Sequence, residues 1–380
     1  MTSSLSGPLS GFPPSQIRRL VIKIGSALLV DPAGKVREPW LRTLVADIAA
    51  RRAAGQRIII VSSGAIALGA RRLNLPKGGR GSLEDAQAAA ATGQIALSQC
   101  WASLLQERGI TAAQMLVTLD DLENRRRYLN AAATLDRLMQ LDVVPVVNEN
   151  DSVATNEIRF GDNDRLAARI GQAARADAIV LLSDVDGLYS ANPHVDASAM
   201  LIDRIERIDA RIMAMADGGS ASGMGSGGMV SKIQAAKIAT GAGAHLAIIT
   251  GTVDSPLSRW EQEGRGSIFL AAPATRARKG WLAGRLTVRG RITIDAGAER
   301  ALGRGNSLLP AGVARVEGAF ARGDVVDIVA EDGRVIARGL SEYDSGEAAR
   351  IAGKRSEDIA ALLGHVPRSV LVHRDHMAII

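Results

Sequence analysis

The sequence predicts an α/β fold, a mostly parallel sheet sandwiched by helices, with a small β-rich domain at the C-terminus. Three observations carry this expectation. Short aliphatic runs alternate with segments of helical period as far as Ala271. Polar loops fall where those runs end, and in open parallel sheets ligands bind beyond the carboxyl ends of strands. Past Ala271 the pattern changes to short β-like runs separated by turn signals such as Glu331-Asp332-Gly333. A chain of 380 residues exceeds one ordinary core, so two domains are the natural division.

Arg19 to Ile24 (RLVIKI) reads as a buried strand ending at Gly25. Trp40, Leu41, Leu44, Val45 and Ile48 recur at helical spacing, and Gly55 is a good stop. Ile58 to Val61 is a second strand, followed at once by Ser62-Ser63-Gly64-Ala65. Ala86 to Gln106 reads as a long helix, Met115 to Val117 as a strand, Asn130 to Gln140 as a helix and Val143 to Val147 as a strand. Ile179 to Leu182 and Leu246 to Ile249 complete the set. The loops Gly25-Ser26, Ser62-Ser63-Gly64, Asn148 to Asp151 and Ser183-Asp184 then converge on one edge of the sheet. In the second part the runs are Arg291 to Ile294, Val313 to Val316, Val325 to Val329, Val335 to Leu340 and Val370 to His373. The expected division is a flexible leader over 1–15, a first domain over 16–272, a linker over 273–288 and a β-rich domain over 289–380.

Composition excludes several function classes. The single cysteine, Cys100, rules out an internal disulfide and reads as a small core hydrophobe within a helix. No Cys/His set has zinc spacing, and no metal-ligating residues are assigned. No apolar stretch is long enough to cross a bilayer, and residues 1–15 lack the features of a signal peptide, so a cytoplasmic protein without membrane association is expected. The net charge is +6, suited either to nucleic acid or to anionic substrates. Residues 281–380 hold 14 basic against 13 acidic side chains, so the excess lies in the first part.

The glycine-rich run Gly223 to Gly228, followed by Met229-Val230-Ser231-Lys232 and a helix, suits a phosphate. Glycines let backbone N–H groups approach it, and the helix N-terminus adds a favourable dipole. Gly223-x-Gly225-x-x-Gly228 formally matches a dinucleotide fingerprint but follows no strand, and no G-x-x-x-x-G-K-[ST] string exists. Lys23 interrupts an aliphatic strand near its end, where a charge is costly unless partnered. Asn148-Glu149-Asn150-Asp151 and Gly161-Asp162-Asn163-Asp164 are dense Asn/Asp loops. They suit plain turns and helix caps, or binding of an amino group, or the positioning of cationic side chains and Mg²⁺.

Taken together these residues resemble the amino acid kinase family. The likeness runs through Val21 to Ser26, Val61 to Ile66, Pro145 to Asp151, Gly161 to Asp164, Ser183 to Tyr189 and Gly225 to Met229. The last part resembles the PUA domain appended to members that act on glutamate. The resemblance implies phosphorylation of the γ-carboxylate of L-glutamate by ATP with Mg²⁺, the first step towards proline. It gives catalytic roles to Lys23, Lys232 and Asp164, and substrate binding to Ser63, Asp151 and Asn163. ATP binding would fall to Lys23, Ser183, Asp184, Ser226, Gly227, Gly228, Met229, Val230, Ser231 and Lys232. It further implies feedback inhibition by proline and a homodimer or homotetramer. The sequence departs from the family at Ser183, where threonine is common, and at Val230-Ser231, where Ser-Thr is more usual. A carboxylate nucleophile is already ionised at neutral pH and needs no general base, which fits a chain without a central histidine.

Two alternatives remain at this point. One is another acyl-phosphate-forming kinase of the same fold. The other is an RNA-binding protein acting through the PUA-like domain, against which stand that domain's net charge of +1 and its few aromatics, Trp281, Phe320 and Tyr343.

Overall fold

The computed structural model describes residues 17–31, 33–153, 162–193, 195–217, 228–271, 288–364, 368 and 370–380. The leader at 1–15, the linker at 273–287, Gly161, Trp281 and the run from Gly223 to Gly227, with Ser226 in it, lie outside the described residues. Described residues up to 123 and from 131 to 271 form one compact unit, and those at 124–130 and from 288 onward form a second.

The first unit is built on an eight-stranded sheet. Its strands are β1 (Arg19–Ile24), β2 (Arg57–Val61), β3 (Ala112–Val117), β4 (Val144–Glu149), β5 (Ala178–Ser183), β8 (Arg204–Ile205), β9 (His245–Thr250) and β10 (Ser267–Phe269), in the order β3-β4-β2-β1-β5-β9-β10-β8. A separate ribbon pairs β6 (Leu188–Tyr189) with β7 (Leu201–Ile202). From β3 to β9 every pairing is parallel; only β9 and β10 run antiparallel. The expected mostly parallel sheet is therefore present. The reason lies in composition: β1 and β5 are near-continuous aliphatic runs, buried almost throughout, as central strands covered on both faces must be. Leu20, Ile22, Ile24, Ile58, Ile60, Val180 and Leu182 pack with Trp40, Leu44 and Trp101 from the helices in one core.

Helices start where polar side chains cap them. The long helix begins at Leu83 rather than Ala86, because the Ser82 hydroxyl accepts the Asp85 N–H at 3.0 Å and Glu84 and Asp85 favour the first turn. Helix Ala65–Arg72 starts at Gly64, whose φ of +103° needs glycine. These two helices cross backbone to backbone. A Cβ on Gly69 would lie 1.7 Å from the Ala89 carbonyl oxygen, and one on Gly93 1.8 Å from that of Ala65. Cys100 sits half-buried in the long helix against the core, with burial as the main cause of a thiol pKa pushed up to about 11, as a small hydrophobe would be placed.

The second unit carries a five-stranded sheet of β11 (Val288–Ile294), β12 (Val313–Gly318), β13 (Val325–Ala330), β14 (Val335–Ser341) and β15 (Val372–Ile379), ordered β12-β11-β13-β14-β15. Only β11 and β13 are parallel. The last strand lies further along than Val370–His373, because its middle, His373 to His376, is polar and carries no aliphatic run to mark it. Three short helices, Ala296–Gly303, Ser345–Ile351 and Ser356–Leu363, were not anticipated by period. Phe320 and Tyr343 are buried in this unit's core with Ile292 and Ile328, so neither offers a face for stacking on a base.

Candidate active site

Strands β1, β2, β4 and β5 are mutually parallel neighbours, so their carboxyl ends meet at one edge. The expected convergence of four loops is thereby met. Lys23 is the next-to-last residue of β1, in register with Val61 of β2 and Leu181 of β5. It is buried to 8 % exposure, and its charge is met by Asp164, with Nζ 2.6 Å from Oδ1. The other oxygen of the same carboxylate takes Lys232, whose Nζ donates to Oδ2 at 3.1 Å. One buried carboxylate thus holds two lysines that are 209 positions apart in the sequence.

Local structure explains the meeting. Asp162 caps helix Asn163–Ala174, its side chain accepting the Arg165 N–H at 3.3 Å, and this sets Asp164 in the first turn facing β1. Lys232 is the fourth residue of helix Met229–Gly241, which starts from Gly228 in extended conformation. The two helix starts are tied together, since the Ser231 hydroxyl donates to Asp162 in a very short contact. That link was not foreseen; a serine beside the lysine and an Asp cap were its only sequence signals.

Electrostatics distinguish two carboxylates here. Burial alone would raise the Asp164 carboxyl, but Lys23 and Lys232 overcome this and hold it below the ordinary carboxylate range. Asp151, two residues past the end of β4, is also buried, and burial pushes its pKa up to about 6, with Arg80 opposing only in part. One of its oxygens, Oδ1, makes no hydrogen bond. Asp151 lines a cavity of about 230 Å³ together with Gln94, Gln114, Glu149 and Ser152.

The remaining candidates fall into place as follows. Ser63 and Asn163 are both buried and joined, the Asn163 amide donating to the Ser63 hydroxyl at 2.6 Å. They do not line the cavity that holds Asp151. The Ser62-Ser63 turn is braced from behind by Trp101, whose indole N–H donates to the Ser62 hydroxyl at 2.9 Å. Ser183 ends β5 beside β1 and donates to Asp184 at 3.0 Å. Gly228, Met229, Val230 and Ser231 form the start of the Lys232 helix, while Ser226 and Gly227 lie outside the described residues. Among the described residues no group of three or more His, Cys, Asp or Glu side chains is placed to hold a metal ion. No described helix is long and apolar enough to cross a membrane.

A buried Lys–Asp–Lys cluster thus stands at the edge of a parallel sheet, beside a helix N-terminus, with two cations on one carboxylate. The amino acid kinase family pattern matches residues 18–251, and the PUA domain pattern matches residues 290–363. A glutamate 5-kinase of Sphingopyxis alaskensis is 66 % identical over 372 residues, 98 % of this chain and 100 % of its own length. One of Zymomonas mobilis is 61 % identical over 379 residues, 100 % of this chain and 96 % of its own. Carbamate kinase from Giardia lamblia bound to AMP-PNP shares the fold, with a TM-score of 0.50 at 13 % identity over 68 % of this chain and 100 % of that one. The chain belongs to the amino acid kinase family and, within it, to the glutamate 5-kinases that carry a PUA domain.

Proposed function

We propose that this protein transfers the γ-phosphoryl group of ATP to the γ-carboxylate of L-glutamate, with Lys23 and Lys232 holding the group in flight. The observation that carries the reading is the single buried carboxylate of Asp164 shared by both lysines. Two ammonium groups and one carboxylate leave a net positive charge where a phosphoryl group would pass. In the reaction a carboxylate oxygen bonds to the γ-phosphorus while the bond to the ADP oxygen breaks, and no proton moves. A group with an ordinary pKa of about 4.3 is ionised without help, so the site needs alignment and charge rather than a base. Charge spread over the transferring oxygens is what preorganised lysines stabilise.

Asp164 is assigned the positioning of both lysines. Asp151, buried and pushed towards neutrality by burial, gains from a cation and is assigned the substrate's ammonium. Ser63 and Asn163 are assigned to the substrate's carboxylate side. Ser183, Asp184 and the segment from Ser226 to Lys232 are assigned to ATP. Magnesium is taken to arrive on the ATP phosphates, whose hard oxygens it prefers, and to neutralise charge there. We place the reaction in the cytoplasm, take residues 16–272 as the catalytic domain, 273–288 as a linker and 289–380 as an appendage. Proline inhibition and a homo-oligomer are proposed from family membership; an assay with added proline and light scattering check each.

ADP release measured with glutamate, aspartate, N-acetylglutamate and carbamate tests the substrate. Glutamate is expected to be turned over fastest. No glutamate-dependent ADP release, or a faster rate with one of the others, would overturn the reading.

A further inference from the structure

The helix Leu83–Gln106 sends one polar side chain towards the loop after β4. Gln94 lines the same cavity as Asp151 and Glu149. Its carbonyl oxygen accepts the Asn148 amide N–H at 2.8 Å, and its own amide donates to the Ser98 hydroxyl at 3.1 Å, one helical turn on. Asn148 is 2 % exposed, and its carbonyl oxygen makes no hydrogen bond. A buried acceptor left unmet costs roughly 1–3 kcal/mol, which a ligand donor reaching it would recover.

A carboxamide is planar, with its N–H₂ and carbonyl on opposite sides of one carbon. Holding the nitrogen therefore fixes the direction of the oxygen. Gln94 holds this direction from a helix packed backbone to backbone on its neighbour at the adjacent Gly93. Gly93 lies so close to the Ala65 carbonyl that a Cβ there would stand 1.8 Å from the oxygen. The acceptor of Asn148 lies near the end of β4 and the carboxylate of Asp151 two residues beyond the strand's end, three residues apart.

We propose that Gln94 is a positioning residue for selection of an α-amino acid: it holds the Asn148 amide so that the Asn148 carbonyl oxygen accepts from the substrate's ammonium beside Asp151. This rests on the glutamate reading above. Gln94 touches neither the phosphoryl group nor the lysines, so its effect falls on recognition of the amino end and not on turnover.

The test compares the unaltered enzyme, Gln94→Leu, Gln94→Glu and Asn148→Ala on glutamate and on glutarate, which lacks the amino group. Gln94→Leu is expected to raise the KM for glutamate about tenfold, the scale of one hydrogen bond to a charged group. The kcat and the KM for ATP should stay within twofold, and turnover of glutarate should be unchanged. Gln94→Glu keeps an acceptor for Asn148 and should restore the KM to within threefold. In an Asn148→Ala background Gln94→Leu should add nothing, because the two act as one unit. Gln94→Met repeats the test should leucine disturb the helix, with thermal melting as the check. An unchanged preference for glutamate over glutarate in Gln94→Leu, or a failure of Gln94→Glu to rescue, overturns the proposal. An unaltered enzyme that releases no ADP with glutamate would instead overturn the reading on which it rests.

Discussion

Asp164 and Asp151 are buried to similar degrees at the same edge of the sheet, yet their surroundings push them in opposite directions. Asp164 is gripped by two ammonium groups and held ionised. Asp151 is raised to about 6 by burial and retains an oxygen without a hydrogen bond. The difference teaches how the site divides its labour. The Asp164 side has its geometry fixed before any ligand arrives, its carboxylate fully engaged by two lysines that together keep one positive charge in excess. The Asp151 side is incomplete, and a cationic ligand group would finish it.

The sharpest way to break this comparison is to remove the shared carboxylate. Asp164→Ala leaves two buried lysines without a partner, a change worth about 3–5 kcal/mol. It should lower Tm by about 10 °C and reduce kcat at least as much as loss of either lysine; melting and steady-state kinetics read both. Next in size, Lys23→Ala and Lys232→Ala should each lower kcat by about 10²–10³, the range for one preorganised charge-stabilising donor, while the KM for glutamate shifts little. A near-normal kcat in either variant removes that lysine from the mechanism.

Asp151→Asn should behave in the opposite manner. The KM for glutamate should rise by about 30-fold or more, as when one partner of a buried charge pair is lost, with kcat nearly kept. Because the folded pKa of Asp151 lies above its unfolded value, its contribution to stability is full below about pH 4 and lost as pH rises through about 6. Asp151→Asn should therefore stabilise the free protein at pH 7, by about 2 kcal/mol at most, where Asp164→Ala destabilises it. The Asp164 contribution has the reverse sign, being present above the ordinary carboxylate range and lost as pH falls through its depressed pKa.

The smallest effect is in the pH profile. An ionised Asp151 is needed to take an ammonium, so kcat/KM for glutamate should fall below about pH 6, approaching tenfold per pH unit. The profile of Asp151→Asn should be flatter over that range. Equal slopes in the two proteins would detach Asp151 from substrate recognition.

Much of this arrangement was legible in the sequence, for physical reasons. A lysine inside an aliphatic strand demands a partner, so Lys23 was legible as a site residue, whereas Asp164 as that partner came only with the family resemblance. The start of the Lys232 helix was legible because glycines precede a lysine there. What escaped was sideways contact between elements. Nothing in the local pattern joins Ser231 to Asp162, Trp101 to Ser62 or Gln94 to Asn148, since each pair spans 39 positions or more. The polar pair Gln94 and Ser98, four apart in an alanine-rich helix, was the one visible hint of a functional face. In the second unit, Asp295 and Asp344 each cap a helix by accepting an N–H three residues on. Helices of seven or eight residues are too short for period to reveal, whereas Asp344-x-x-Glu347 is a capping signal that was there to be read.

The division of labour itself is tested most directly by one ratio, kcat/KM for glutamate over kcat/KM for glutarate, in the unaltered enzyme, Lys23→Ala and Asp151→Asn. Lys23→Ala should depress both substrates together and leave the ratio as it was, whereas Asp151→Asn should collapse it by about 30-fold. A ratio that falls in Lys23→Ala, or survives in Asp151→Asn, would contradict the account.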